Sequence, residues 1–343
     1  NDISPYIKNN NLFMPPYLLL LLAFVLQGNI HLYEKAFIRI KIIIMKNIKM
    51  VIAGGSGFIG SYIADYFSKE NKIIILSRKM EKPENNTYKQ TGYAEKKENI
   101  DIVFWDAKNA GEWNKHIDGA DLIINLAGKS VNCRYTEKNK KEIFDSRTNS
   151  TEAIGNAIHQ AAIPPKLFIN AASATIYRHA TDKPQDEFTG EFHNDFSVQV
   201  CKLWEKVFFE QRTPFTRKIA FRMAITLGAG GAIKPYLNLC KFGLGGTQGN
   251  GNQMFSWVHI NDICRVIEFM WHHADEEGVY NISAPNPVPN KVFMQALRKL
   301  TGNNFGIPAP TWLLKAGAWL IGTETELILK SRWVLPAKII SKG

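Results

Sequence analysis

Disulfide scaffolds, metal sites and membrane spans leave marks that this sequence largely lacks. Its four cysteines, Cys133, Cys201, Cys240 and Cys264, lie far apart with no C-x-x-C pair. That excludes a disulfide framework or a cysteine zinc site and makes a reducing, cytoplasmic setting the expectation. No H-E-x-x-H occurs among the eight histidines, and no metal is expected. The longest apolar run, Tyr17–Leu26, has ten residues, about half of what a membrane helix needs. It resembles the core of a signal peptide. Yet Lys8 is the only basic residue before it, and no small-x-small cleavage site follows. Residues 1–45 are therefore expected to be an extension outside the fold, with a membrane-associating helix as the lesser alternative. Basic and aromatic residues do not interleave in any stripe, so nucleic acid is not an expected partner. The net charge of +11 is assigned mainly to a lysine-rich surface, and it also suits a phosphate-rich cofactor.

The chain does have apolar content, 45% of its 343 residues, enough for a large core. From Lys46 strand-length apolar runs appear at Lys49–Ala53, Ile73–Leu76, Ile102–Trp105, Leu122–Ala127 and Leu167–Ala172. Helical patterns at Phe58–Lys69 and Glu137–Ala162 fall between them. Such alternation predicts an α/β fold: a Rossmann-type doubly wound parallel sheet. The polar stretch Arg78–Asn99 reads as an exposed loop. After Leu227 the glycine-rich segment Gly243–Gly251 and the proline-punctuated turn Asn281–Asn290 change the texture. Helical patterns follow at Lys291–Thr301 and Trp312–Ile321. The expected division is a nucleotide-binding domain over 46–227 and a smaller C-terminal substrate lobe over 228–343.

"VIAGGSGFIGSYIADYF" (Val51–Phe67) carries the sharpest signal. Gly54, Gly57 and Gly60 form G-x-x-G-x-x-G after a strand and into a helix. The first allows a tight turn, the second lets backbone approach a pyrophosphate, and the third allows close helix–strand packing. The helix N-terminus offers free N–H groups to phosphate. Gly54, Ser56, Gly57, Phe58 and Ile59 are thus cofactor candidates. Where an NAD site usually has an acid, the second strand ends in Ser77 and Arg78. A hydroxyl and a guanidinium suit a 2′-phosphate, which favours NADP over NAD. Asp106, after the third strand, is either an adenine contact or a turn residue.

Further stretches converge on one resemblance. "NLAGK" (Asn125–Lys129), "SATIY" (Ser173–Tyr177), "CKLWE" (Cys201–Glu205) and "FSWVHINDICR" (Phe255–Arg265) together resemble the extended short-chain dehydrogenase/reductase superfamily. With "DSRTNST", "GLGG-x-x-G-x-G" and "RWVLPAKII" (Arg332–Ile340), the chain is similar to the YfcH-like epimerases, which carry a small C-terminal family domain. The resemblance begins near residue 46. It implies NAD(P)-dependent epimerase, dehydratase or reductase chemistry on a small polar or nucleotide-linked substrate, and it is compatible with a homodimer. It places Leu126, Ala127 and Gly128 against the cofactor, Ser173 as the substrate-orienting serine and Lys202 as the lysine that holds the nicotinamide ribose. It also puts Val198 where the superfamily has its proton-passing tyrosine, and Arg147 where an asparagine often helps. The YfcH-like family generally lacks that tyrosine too.

Valine cannot donate a proton. Tyr177, His179, His193, Asp186, Glu187 and Lys202 itself remain alternatives; packing is the plainer account of Tyr177, solvated surface of the loop residues, and ribose binding without chemistry of Lys202, while Cys201 reads as core. Arg147, Arg222, Trp257 and His259 are the candidate substrate residues, although Trp257 equally suits packing and Arg222 a cap on the sheet edge. A cofactor-sensing protein without turnover is the rival reading.

Overall fold

The computed structural model describes residues 45–78 and 98–343. The expectations for Tyr17–Leu26 and for most of the polar Arg78–Asn99 stretch lie outside the described residues. Strand β1 (Lys49–Ala53) is followed by α1 (Phe58–Phe67), β2 (Lys72–Ser77), β3 (Ile100–Phe104) and β4 (Leu122–Asn125). The long helix α2 (Glu137–Gln160), β5 (Leu167–Ser173), α3 (Phe196–Glu210) and β6 (Arg217–Met223) come next. A short strand β7 (Ile225–Leu227), α4 (Ile233–Lys241), β8 (Met254–Phe255), β9 (Trp257–His259) and α5 (Ile260–His272) lead to β10 (Gly278–Ile282). The chain closes with β11 (Val288–Pro289), α6 (Asn290–Leu300), α7 (Thr311–Ile321), α8 (Glu326–Leu329) and α9 (Ala337–Ser341). Among the described residues no helix is long and apolar enough to cross a membrane.

Seven strands form one parallel sheet in the order β3-β2-β1-β4-β5-β6-β10. β1 is apolar at four of five positions because both its faces are covered. Met50 and Ile52 point into a core that includes Ile63 and Phe67 of α1 and Ile263 and Ile267 of α5. Val51 and Ala53 point the other way, toward Ile154 and Ile158 of α2 and Phe208 of α3. β1 pairs with β2 on one side and β4 on the other. The chain thus reverses its winding beside β1, which opens a crevice at the carboxyl ends of those strands.

The expected division at residue 227 is crossed. β10 pairs with β6 inside the main sheet, and α5 packs on α1, where Tyr62 bonds Asn261. The polypeptide therefore leaves the sheet after β6, builds part of the lobe, and returns. A third core, with Leu227, Ile233, Phe255, Phe293 and Leu297, holds the lobe itself. The segment 330–335 then runs back as a strap. Arg332 N–H donates to Met254 O, Ser256 N–H to Arg332 O, Gln185 N–H to Trp333 O, and Leu335 N–H to Gln185 O. Val334 beneath it is fully buried.

Candidate active site

The glycine turn has the geometry that the spacing predicts. Gly54 sits at φ +75°, and a Cβ there would lie 2.9 Å from the Leu126 carbonyl carbon. Only a glycine permits both the turn and that approach. A Cβ on Gly60 would lie 2.6 Å from Gly54 O and from Gly55 Cα. The helix is thus packed on the turn through backbone alone. Gly57 is the N-cap of α1 with no side chain to satisfy the first N–H groups, and Ser56 and Gly57 are exposed. Free amides at an open helix N-terminus fit the pyrophosphate of a dinucleotide. Ile59 packs on the first core. The Phe58 ring packs on the lobe: a Cβ at Gly230 would stand 2.8 Å from it.

Around this turn, Ser77 is buried at the end of β2 and Arg78 is exposed just beyond it. Leu126 N–H bonds Ala53 O at 2.9 Å, and Ala127 N–H bonds Asn125 Oδ1 at 3.1 Å. Gly128 faces Arg147, whose Cζ would be 3.3 Å from a Cβ there. Asp106 closes its own turn. Its Oδ1 accepts from Lys108 N–H at 2.9 Å and Asn109 N–H at 2.8 Å. These bonds, that of Asn109 above all, hold its carboxyl below the usual range. Of its two expected readings, the structure displays the turn residue.

Two expected residues are corrected by their surroundings. Tyr177 is buried. Its hydroxyl donates to Asn281 Oδ1 at 3.0 Å and accepts from Arg222 Nη1 at 2.9 Å, and burial raises its pKa. A hydroxyl tied on both sides is not presented to a substrate. Arg222 in turn forms a two-pronged pair with Glu205, both contacts at 2.7 Å, and is 7% exposed. Its guanidinium neutralises a buried carboxylate, so the expected phosphate contact is not available.

The serine and lysine expected to act together keep other partners. Ser173 Oγ accepts from Thr175 N–H at 3.2 Å. Lys202 is exposed; its Nζ lies 3.5 Å from His193 O and 5.4 Å over the Phe192 ring. That flank of α3 faces the 178–195 loop. Val198 is fully buried. Cys201, one residue and about 100° from Lys202 on the helix, is buried, and its thiol is pushed up to about 12 by desolvation. Beside it Arg147 stacks over Trp204 at 5.0 Å. The cation on the α2 side of α3 is thus Arg147, and Lys202 stands on the other flank.

Trp257 and His259 do share a cavity, of about 180 Å³, with Leu227, Ile233, Phe293 and Leu297. Trp257 Nε1 donates to Asn286 O at 3.3 Å. His259 caps α5 by accepting from Asn261 N–H at 3.2 Å, and burial lowers its pKa. Arg147 and Arg222 do not line this cavity. The loop residues are occupied as well. His179 Nδ1 accepts from Ser331 N–H at 3.1 Å, Asp186 caps its own turn, and Glu187 accepts from Asn281 N–H at 2.8 Å. His193 Nδ1 stands 3.8 Å from Asp195.

Sequence reasoning missed the cations brought by the strap. Lys330 is buried; its Nζ donates to Thr175 O at 3.2 Å and pairs with Asp195 at 3.1 Å and Glu326 at 3.6 Å. Arg332 Nε donates to Thr175 Oγ1 at 3.2 Å. Both therefore stand at the turn that follows Ser173. Their only sequence signal was two cations in an otherwise apolar segment.

A family model for the NAD dependent epimerase/dehydratase family matches residues 50–203. The epimerase family protein YfhF of Bacillus subtilis (strain 168) is 30% identical over 295 residues, covering 86% of this chain and 92% of the relative. The chain belongs to this family. A mouse member, epimerase family protein SDR39U1, is 27% identical over 303 residues, 86% of this chain and 94% of its own. The crystal structure of human SDR39U1 (isoform 2) with NADPH superposes at a TM-score of 0.72 and 25% identity, covering 86% of this chain and 94% of that one.

Proposed function

We propose that this protein binds NADP across the carboxyl edge of the sheet and uses it to oxidise, reduce or epimerise a small polar or nucleotide-linked substrate. The observation that carries the reading is the bare N-terminus of α1 against the Gly54 turn, where backbone approach is possible only without side chains. The NADPH in the human relative's structure supports the choice of cofactor. In this reading Gly54, Ser56, Gly57, Phe58 and Ile59 cradle the pyrophosphate. Ser77 and Arg78 take the 2′-phosphate, and Leu126–Gly128 line the nicotinamide half. When bound, the cofactor supplies hydride exchange. Ser173 orients the substrate oxygen, and the fully buried Val198 helps exclude water where the superfamily keeps a tyrosine.

Fluorescence titration with NADPH and NADH tests this. NADPH is expected to bind more tightly, and Arg78→Ala to weaken NADPH by roughly tenfold or more through loss of a charge-assisted contact, with NADH little changed. Equal or tighter binding of NADH would sink the assignment. The holoprotein is then offered carbonyl and sugar-nucleotide substrates, with turnover of at least one class expected.

A further inference from the structure

The lobe encloses a cavity of about 180 Å³ that its own side chains do not fill. Its walls are Ile233 and Leu237 of α4, Phe293 and Leu297 of α6, and Trp257 of β9. Small residues keep it open: Ala296 on α6, and Gly228 and Ala229 after β7, line it without reaching across. Its aromatic wall is fixed by packing. Phe293 stacks on Phe255 with centroids 4.0 Å apart, and Tyr236 meets Phe293 edge-on at 5.5 Å. Ala229 and Lys234 are exposed, so the cavity opens to solvent at the start of α4. Gly228 joins it to the cofactor turn. A Cβ there would stand 3.0 Å from Phe58 Cζ, and Phe58 is the first residue of α1.

The lining offers a polar ligand little. Among the described residues none that lines the cavity carries a carboxylate, and the polar side chains are Trp257, His259 and Lys234. Trp257 Nε1 is taken up by Asn286 O, and His259 Nδ1 by the cap of α5. Burial lowers the pKa of His259 and favours its neutral ring. Lys234 stands at the solvent mouth. Sugar hydroxyls placed inside would give up water for few partners, which is costly. An uncharged hydrocarbon group loses nothing by entering. An apolar cavity of about 150 Å³ is large enough to admit benzene, so this one suits a group about one ring in size.

We propose that this cavity binds an uncharged apolar group about one ring in size, and that the substrate carries such a group in place of a nucleotide. This rests on the cofactor-dependent reading of the site. It deepens that reading by narrowing the substrate class.

The test uses the full chain, with and without NADPH, and ethylbenzene as the probe; UDP-glucose is the comparator. Calorimetric titration is expected to show ethylbenzene binding that UDP-glucose does not displace. Ala296→Phe places a ring inside the cavity. It is expected to weaken ethylbenzene by roughly tenfold or more without changing NADPH affinity. Should Ala296→Phe fail to fold, Leu237→Phe carries the same comparison. A carbonyl compound turned over by the NADPH-loaded protein is expected to show a KM raised by a similar factor in the folded variant. Ethylbenzene that does not bind, or that binds the folded variant as well as the wild type, overturns the proposal, and so does an unchanged KM. Displacement of ethylbenzene by UDP-glucose also overturns it, because the cavity would then belong to a sugar-nucleotide site. Failure of NADPH to bind refutes the cofactor reading instead and leaves the ethylbenzene comparison on the cofactor-free protein intact.

Discussion

At the scale of single residues, a tyrosine in a strand-end motif says little about its chemistry until its partners are known. Tyr177 looked like a spare proton donor; between Arg222 and Asn281 it is a structural strut. Tyr177→Phe is expected to cost about 1–3 kcal/mol of stability, because Arg222 and Asn281 each lose a buried partner. Urea denaturation measures the loss, and NADPH affinity should stay within about twofold. Were Tyr177 the donor, turnover would fall by roughly 100-fold or more at similar stability. Partners also separate Lys202 from Arg147: Lys202 Nζ lies over Phe192 on one flank of α3, whereas Arg147 reaches across from α2 to stack on Trp204.

Elements were the most legible level. Strand runs and the glycine turn are local patterns, and all five expected strands of the nucleotide-binding domain appear within two residues of their expected ends. Helix ends depend on caps, which are less visible. α5 is capped by His259, which reads in the sequence as a substrate contact and serves in the structure as an N-cap acceptor. Burial lowers its pKa from 6.5, with Asp262 opposing and Arg265 reinforcing the shift. A histidine depressed in the folded state binds its proton more readily when unfolded. Its stabilising contribution is therefore complete above the unfolded value and is lost as pH falls through the folded one. His259→Asn keeps a cap acceptor that does not titrate. Urea midpoints at about pH 7.5 and about pH 5.5 should fall less in the variant than in the wild type. An identical fall would remove His259 from the acid response.

The whole molecule is where sequence reading ran short. Lys330 and Arg332 reach the Ser173 turn only because the strap pairs with segments 76 and 151 residues away in the chain, at Ser256 and Ala180. No local pattern announces such a contact. Nor does any local pattern show that β10 completes a sheet begun more than 200 residues earlier. Val334 anchors the strap from beneath with no exposed surface. Val334→Ala should destabilise the protein by about 1–3 kcal/mol, and it should loosen Arg332 from Thr175. Hydrogen exchange at Val334 and Ser256 N–H reports that directly. Unchanged protection would show that the strap is held elsewhere.

The return of the chain to its own sheet also bears on how the protein is made. The edge strand beside β6 is synthesised after the first part of the lobe, and the strap that closes the site after the rest of it. On a ribosome the nucleotide-binding half emerges first, with the β6 edge bare and apolar side chains uncovered. It cannot finish until β10 and the strap have followed. A ribosome stalled before the strap would hold a cofactor fold without its closing cations, a species suited to chaperone capture.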